Sequence, residues 1–129
     1  MYHCFRLTRG QDLYRAIEDY AKDHHIAAGA VVSGVGCVSR WEVRDASGVT
    51  VQSGTEDVEI VSLTGTITTM DGQYYAHLHM SCGDEQGHVF GGHLNRAVVS
   101  ATCEMVVTEI DGSVDRAFSP EVGLNLFKF

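Results

Sequence analysis

The chain has 129 residues, 44% of them hydrophobic and 20% charged, which is the balance of one globular domain with its own core. Nine Lys and Arg residues stand against seventeen Asp and Glu residues, giving a formal net charge of -8 at pH 7. A surface that binds DNA directly usually carries a basic stripe, and none is present, so the charge argues against direct DNA binding by an isolated monomer. No apolar run has the length of a membrane-spanning helix, so no membrane partner is predicted.

The cysteines bear on the cellular compartment. None of the four forms a Cys-x-x-Cys pair, each lies among apolar residues, and the first residues of the chain lack the apolar core of a signal peptide. These features predict a cytoplasmic protein with reduced thiols. We also expect residues 1–129 to form a single domain.

The periodicity predicts one long helix near the N-terminus and strands over most of the remaining chain. A first strand is expected over residues 2–8, and the helix begins near Gly10-Gln11-Asp12 and ends near His24. The strands expected after the helix, in chain order, cover residues 27–38, 41–45, 49–53, 58–69, 73–82, 97–108, 114–118 and 124–129. Most links between them are short turns, which favours antiparallel pairing. We therefore predict an α+β fold, in which one main helix packs on a mostly antiparallel β-sheet.

The strand expected over residues 73–82 carries two histidines on one face. Side chains alternate along a strand, so His77 and His79 point the same way, while Leu78 between them lies on the apolar face that should pack on the core. Two imidazoles at this spacing are able to share a cation. The pair therefore makes this strand the first place to look for a metal site.

A third histidine follows in Gly91-Gly92-His93, fourteen residues after His79. Glycine is used where a backbone turns or approaches another closely, and we expect a turn here that returns His93 to the paired histidines. Three imidazoles are the donor set of an open zinc site, with one position left for water or substrate. We predict that His77, His79 and His93 bind a divalent transition metal, zinc first, although imidazole also suits iron, nickel and copper.

Other interpretations of these residues stay open. The histidines could instead form hydrogen bonds or a subunit contact, and a metal could either activate water for catalysis or only hold structure. Glu104 lies in an apolar stretch, so we expect it to be half-buried. A buried carboxylate needs a partner, and three roles stay open: a general base, an acid that orients a histidine ligand, or the partner of an arginine. No nucleophile elbow, phosphate-binding loop or dinucleotide fingerprint is present.

Four segments carry a resemblance to a known family: Glu59-Ile60-Val61-Ser62-Leu63-Thr64-Gly65-Thr66, His77-Leu78-His79-Met80-Ser81, Gly91-Gly92-His93-Leu94 and Ala101-Thr102-Cys103-Glu104-Met105-Val106-Val107. In order and spacing they resemble the PPC ("plants and prokaryotes conserved") domain over nearly the whole chain. The resemblance implies a bent antiparallel sheet flanked by a helix, assembly as a homotrimer, and metal ligation by the paired and Gly-Gly histidines, which are His77, His79 and His93 here.

The resemblance also implies a function. Plant members combine the domain with AT-hooks in nuclear DNA-binding proteins, where it mediates self-association and partner binding, and stand-alone prokaryotic members are described as DNA-binding proteins. This chain has no Arg-Gly-Arg-Pro AT-hook. We expect a trimeric DNA-binding or regulatory module with a histidine-lined metal site, whose partners are its own copies and DNA or a regulatory protein. The alternative is a metal-dependent hydrolase or lyase that acts on a small molecule at the same site.

Overall fold

The structure, a computed structural model that describes residues 1–129, is built almost entirely of strands. Strands contain 64% of the residues and the single helix contains 9%. In chain order the elements are β1 (Tyr2–Thr8), α1 (Leu13–Asp23), β2 (Gly29–Arg44), β3 (Val51–Gly54), β4 (Val58–Met70), β5 (Gln73–Gly83), β6 (Val89–Glu109), β7 (Asp115–Ser119) and β8 (Leu124–Lys128).

The predicted α+β class is wrong, because the sheet closes on itself and the helix is only a minor part of the fold. β2 pairs with β6, β6 with β5, β5 with β4, and β4 returns to β2, so four long strands form a closed barrel. The two strands expected over residues 27–38 and 41–45 are one continuous strand, β2, and β6 begins at Val89, well before the expected start. All pairings are antiparallel except one bridge between β4 and β7, as the short turns predicted.

The helix α1 lies where the periodicity predicted it and packs on β5 and β6. Asp12 caps its N-terminus by accepting a hydrogen bond from the Arg15 backbone N–H at 2.9 Å. Two helix side chains hold the backbone of Ala76 on β5: the Tyr14 hydroxyl donates to its carbonyl oxygen at 2.7 Å, and the Glu18 carboxylate accepts from its N–H at 3.0 Å. No helix of the protein is long and apolar enough to cross a lipid bilayer.

Packing against the core determines which face of β5 is available for a functional site. The core is a cluster of 24 buried residues, most of them from α1 and the barrel strands. Leu78 and Met80 of β5 belong to it, whereas His79 is exposed on the opposite face and His77 is half-buried there. The alternation predicted for this strand is therefore confirmed, and burial of its apolar face directs the imidazoles away from the core.

The C-terminal hairpin, which we define as β7 and β8, joins the sheet through a single parallel bridge between Thr69 and Asp115. Arg116 on β7 is buried and reaches back to β4, where it donates to the hydroxyl oxygens of Thr68 and Thr66. These contacts place the hairpin beside the histidine face of β5.

Candidate metal centre

The strand register brings three imidazoles together, which we call the histidine cluster: His77, His79 and His93. His77 and His79 are two residues apart on β5, and His93 on β6 is the direct register partner of His79. Their ring centroids are 5.0 Å, 5.2 Å and 5.7 Å apart, and one ligand nitrogen from each lies within 4.8 Å of the others. The structure thus brings together the three residues that we predicted as metal ligands.

The spacing of the nitrogens fits a small cation. A tetrahedral zinc ion with Zn–N bonds of about 2.0–2.1 Å holds its ligand nitrogens about 3.3 Å apart. The Nε2 atoms of His77 and His79 are 3.2 Å apart. The full set of donors spans no more than 4.8 Å. The donor set contains no carboxylate and no thiolate, which suits borderline metals such as zinc.

The glycines before His93 do not form the turn that we expected. Gly91 and Gly92 lie inside β6, paired with Ser81 and Met80 of β5. A Cβ on Gly91 would collide with the Met80 carbonyl oxygen, and a Cβ on Gly92 with the Arg44 carbonyl oxygen. The glycines therefore allow β6 to approach both neighbouring strands closely, and His93 reaches the cluster through strand pairing.

The environment favours neutral imidazoles. Burial, followed by the charge of Arg44, lowers the pKa of His93 to about 4. Burial and the neighbouring His79 lower the pKa of His77. A metal binds the unprotonated ring nitrogen, so both shifts keep these side chains in the form that a metal requires at neutral pH.

Two further residues singled out in the sequence lie elsewhere. The side chain of His88 is 80% exposed and lies near Asp84 in the turn between β5 and β6. Glu104 is on β6, eleven residues beyond His93, where it is exposed and faces Arg6 of β1 in the register. The expected burial of Glu104 is wrong, because the alternation along β6 turns it away from the core. No carboxylate joins the histidine cluster.

A cavity of about 700 Å³ opens beside the cluster, and we call it the arginine cavity. Twelve residues line it, among them His77, His93, Arg44 and Arg116, with the C-terminal hairpin as one wall. His79 instead lines a second cavity of about 380 Å³. A molecule in the arginine cavity would therefore lie directly against two of the three imidazoles.

The two arginines were not predicted from the sequence. Arg44 pairs with His93 across β2 and β6, which becomes visible only once the register is known. The sequence gives one weak indication of Arg116: the residue shares a strand face with Val114 and Phe118, where a charged side chain is unexpected. That signal marks a buried charge but does not say what lies beside it.

Comparison with known proteins gives a match to one family model, the Plants and Prokaryotes Conserved (PCC) domain, over residues 1–111. The bifunctional protein GlmU of Synechococcus sp. strain JA-3-3Ab is 35% identical over 105 residues, which are 81% of this chain and 16% of that protein. The chain thus spans about a sixth of the length of the curated relatives that it matches.

Solved structures that resemble the chain cover almost all of it, among them the following two. A "putative DNA binding protein" from Bacteroides thetaiotaomicron superposes with a TM-score of 0.93 at 26% identity, over 99% of this chain and 91% of its own. The metal-containing protein AF0104 from Archaeoglobus fulgidus superposes with a TM-score of 0.87 at 32% identity, over 100% of this chain and 94% of its own.

Proposed function

Because the chain belongs to the Plants and Prokaryotes Conserved (PCC) domain family, as its resemblance to the PPC domain predicted, we propose that it is a binding or regulatory module with a metal centre at His77, His79 and His93. One observation carries the proposal: ligand nitrogens of three half-buried or exposed histidines lie within 4.8 Å of one another. The metal content ascribed to the Archaeoglobus fulgidus relative supports it. Zinc is our first choice of metal, since three imidazoles make an open tetrahedral site for it.

The protein's own part in this centre is to hold and orient three imidazole rings. Zinc bound in this way supplies a fourth position that accepts water or a ligand. The core side chains beneath β5 and the close approach at Gly91 and Gly92 fix where the rings lie. The exposure of His79 leaves the centre accessible from outside.

Elemental analysis and calorimetric titration test the metal centre. Protein purified without chelators should contain about one equivalent of a transition metal, zinc above all. His77→Ala and His93→Ala should each weaken zinc binding by about 100-fold or more, since even losing a group that only orients a ligand costs about 10–100-fold. His88→Ala is the matched control and should bind as the wild type does. Absence of metal, even after supplementation with zinc, nickel, copper and iron, would contradict the proposal.

We further propose that the module acts as a homotrimer of single-domain chains, each formed by residues 1–129, in the cytoplasm. The trimer and the compartment rest on the family resemblance and on the cysteine pattern. Val32, Val35 and Val61 support self-association, because these three residues leave large apolar side chains exposed on β2 and β4. Light scattering with Val35→Lys checks it: the wild-type mass should be three times that of the variant, and equal masses would refute self-association through this surface.

DNA contact, where it occurs, should come from the assembled oligomer or through a partner protein. The description of the Bacteroides thetaiotaomicron relative supports DNA as a partner, whereas the net charge of -8 opposes strong binding by one chain. Fluorescence anisotropy with duplex DNA at low and high salt decides between the two routes. Tight binding with a steep salt dependence would establish direct contact, and no binding would leave a partner protein as the route.

A metal-dependent hydrolase or lyase is the second candidate, and the arginine cavity favours it, because a cavity of about 700 Å³ beside His77 and His93 has room for a small substrate. The position of Glu104 removes the acid that we considered as its base. Zinc-loaded protein and its His93→Ala variant should be compared on activated esters and phosphate esters. Turnover that is lost with the variant would establish an enzyme.

A further inference from the structure

We propose that the arginine cavity binds a small organic anion, a carboxylate or a phosphate monoester. Its charged group lies at Arg44 and Arg116 and its apolar part lies against the C-terminal hairpin. The proposal deepens the function given above and rests on it in one respect: the same cavity exposes two of the proposed metal ligands, His77 and His93. The anion is the ligand that the metal centre would meet.

Arg116 is the strongest argument. The residue is only 6% exposed, yet no carboxylate lies within ion-pair distance of its guanidinium. Nε donates to the Thr68 hydroxyl at 2.8 Å, Nη1 to the Asn125 carbonyl oxygen at 2.8 Å, and Nη2 to the Thr66 hydroxyl at 2.9 Å. These acceptors are neutral and use three of the five N–H donors of the group.

A buried charge is normally paired with an opposite one. The guanidinium of Arg116 also lies against two aromatic rings, 5.0 Å from the centroid of Tyr75 and 4.8 Å from that of Phe127. These contacts hold its plane in a fixed orientation, as a site that recognises a carboxylate or phosphate requires. An anionic ligand would supply the countercharge that the protein does not.

Arg44 adds a second positive charge to the same cavity. It lines the cavity and has no ion pair of its own. None of the twelve lining residues is an Asp or Glu, although the chain has seventeen of these against nine Lys and Arg. The cavity is therefore locally positive in a protein that is acidic as a whole, which favours an anion there.

The remaining wall determines the kind of anion. Phe118, Leu124, Leu126 and Phe127 of the C-terminal hairpin line the cavity and leave much of their apolar surface exposed. Such a wall favours a ligand with a hydrocarbon or aromatic part over a bare inorganic ion. The volume of about 700 Å³ is that of a pocket for a small molecule.

Calorimetric titration of the full chain with three related probes tests the proposal: phenyl phosphate, phenylacetate and the uncharged phenylacetamide. At least one of the two anions should bind, and whichever binds more tightly identifies the preferred anionic group. Phenylacetamide should bind about tenfold more weakly or not at all, because it lacks the negative charge that the two arginines would pair with. Equal binding of phenylacetamide and phenylacetate would overturn the proposal if phenyl phosphate is not preferred.

Variants connect the binding to the two arginines. Arg44→Gln and Arg116→Gln should each weaken the better anion about tenfold or more, whereas Arg96→Gln, on an exposed arginine of β6, should change nothing. If Arg116→Gln fails to fold because it releases the C-terminal hairpin, Arg44→Gln alone decides. Anion affinity that is unchanged in Arg44→Gln overturns the proposal.

The metal and the anion are separated by running every titration on zinc-loaded and on chelator-treated protein. Anion binding to the chelator-treated protein with no zinc uptake would support this inference and refute the metal centre. Zinc uptake with no anion binding up to about 10 mM would support the metal centre and refute this inference. Duplex DNA is the last probe: arginine-dependent binding of DNA without binding of either small anion would overturn the proposal in favour of a nucleic-acid backbone.

Discussion

The barrel and the C-terminal hairpin contribute to the same site in different ways. The histidine cluster lies on β5 and β6, which are paired on both sides within a closed ring of strands. The hairpin carries Arg116 and the apolar wall, and its backbone joins the sheet at one bridge. The residues matched by the family model, 1–111, include all of the cluster and none of the hairpin. Metal binding and ligand binding should therefore respond separately to mutation.

The largest expected effect compares two leucines, one in each region. Leu94 is 0% exposed and lies next to His93, whereas Leu126 of β8 is 41% exposed. Leu94→Ala should lower the free energy of unfolding by about 2–5 kcal/mol, because it leaves a cavity in the core. Leu126→Ala should cost less than about 1 kcal/mol. Urea denaturation measures both, and equal losses would show that the hairpin is as integral to the core as the barrel is.

A second comparison tests the close approach of β6 to its neighbours. Gly92→Ala should lower stability by about 1–3 kcal/mol, since the new Cβ meets the Arg44 carbonyl oxygen and must push β2 and β6 apart. Zinc affinity should fall with it, because His93 follows Gly92. Gly83→Ala is the control, as its Cβ would meet only Val61 at 3.4 Å. Thermal unfolding measures the stability of both variants, and zinc titration measures their affinity. If Gly92→Ala is as stable as the wild type and binds zinc as tightly, the close approach at this glycine is not needed to position His93.

Within the hairpin, Phe127→Ala should weaken the binding of the anion and leave the binding of zinc unchanged. The substitution removes one of the rings beside Arg116 and part of the apolar wall, for a cost to anion binding of about 0.5–2 kcal/mol. Zinc affinity should remain that of the wild type, since the phenyl ring of Phe127 has no ligand atom and the three donors are on β5 and β6. A parallel loss of zinc affinity in calorimetry would mean that the hairpin helps to hold the imidazoles.

The last prediction is a pH dependence of the free energy of unfolding that belongs to the barrel. Burial raises the pKa of Cys82 and of Cys103 from an ordinary value of 9.0 to about 11 in each case. Between pH 9 and 11 the unfolded chain loses these protons first, so the folded state binds more protons and the free energy of unfolding falls as pH rises. Cys103→Ala should flatten this fall in urea titrations across that window. An identical slope in the variant would exclude a contribution from Cys103.

Local patterns were enough to predict some of the site and not the rest. The two faces of β5 follow from alternation alone, and so does the orientation of His77 and His79. The fold class was wrong because closure depends on β2 pairing with β4, which joins residues far apart in sequence. The Gly91-Gly92 pair was taken for a turn because glycine in a sequence looks the same where a chain bends and where two strands approach closely.

The positions of Arg116 and Glu104 also could not be predicted from local sequence. Arg116 enters the site only because the C-terminal hairpin folds back over β4 and β5, and nothing local to residues 114–118 records that contact. Glu104 was misplaced for the opposite reason: its apolar neighbours suggested burial, but every second residue of β6 there faces outward. The sequence gives the chemical type of each side chain, whereas its neighbours in space depend on pairing between strands that are far apart in sequence.

The single bridge at Thr69 and Asp115 has a consequence for how this protein could diversify. Because the backbone of the hairpin has one bridge to the sheet, besides the side-chain contacts of Arg116, and lies beyond the residues that the family model matches, much of its sequence is free to vary without moving the imidazole rings of the histidine cluster. Grafting a different C-terminal segment onto the same barrel is thus a direct way to change the ligand preference that we propose while the histidine cluster stays the same.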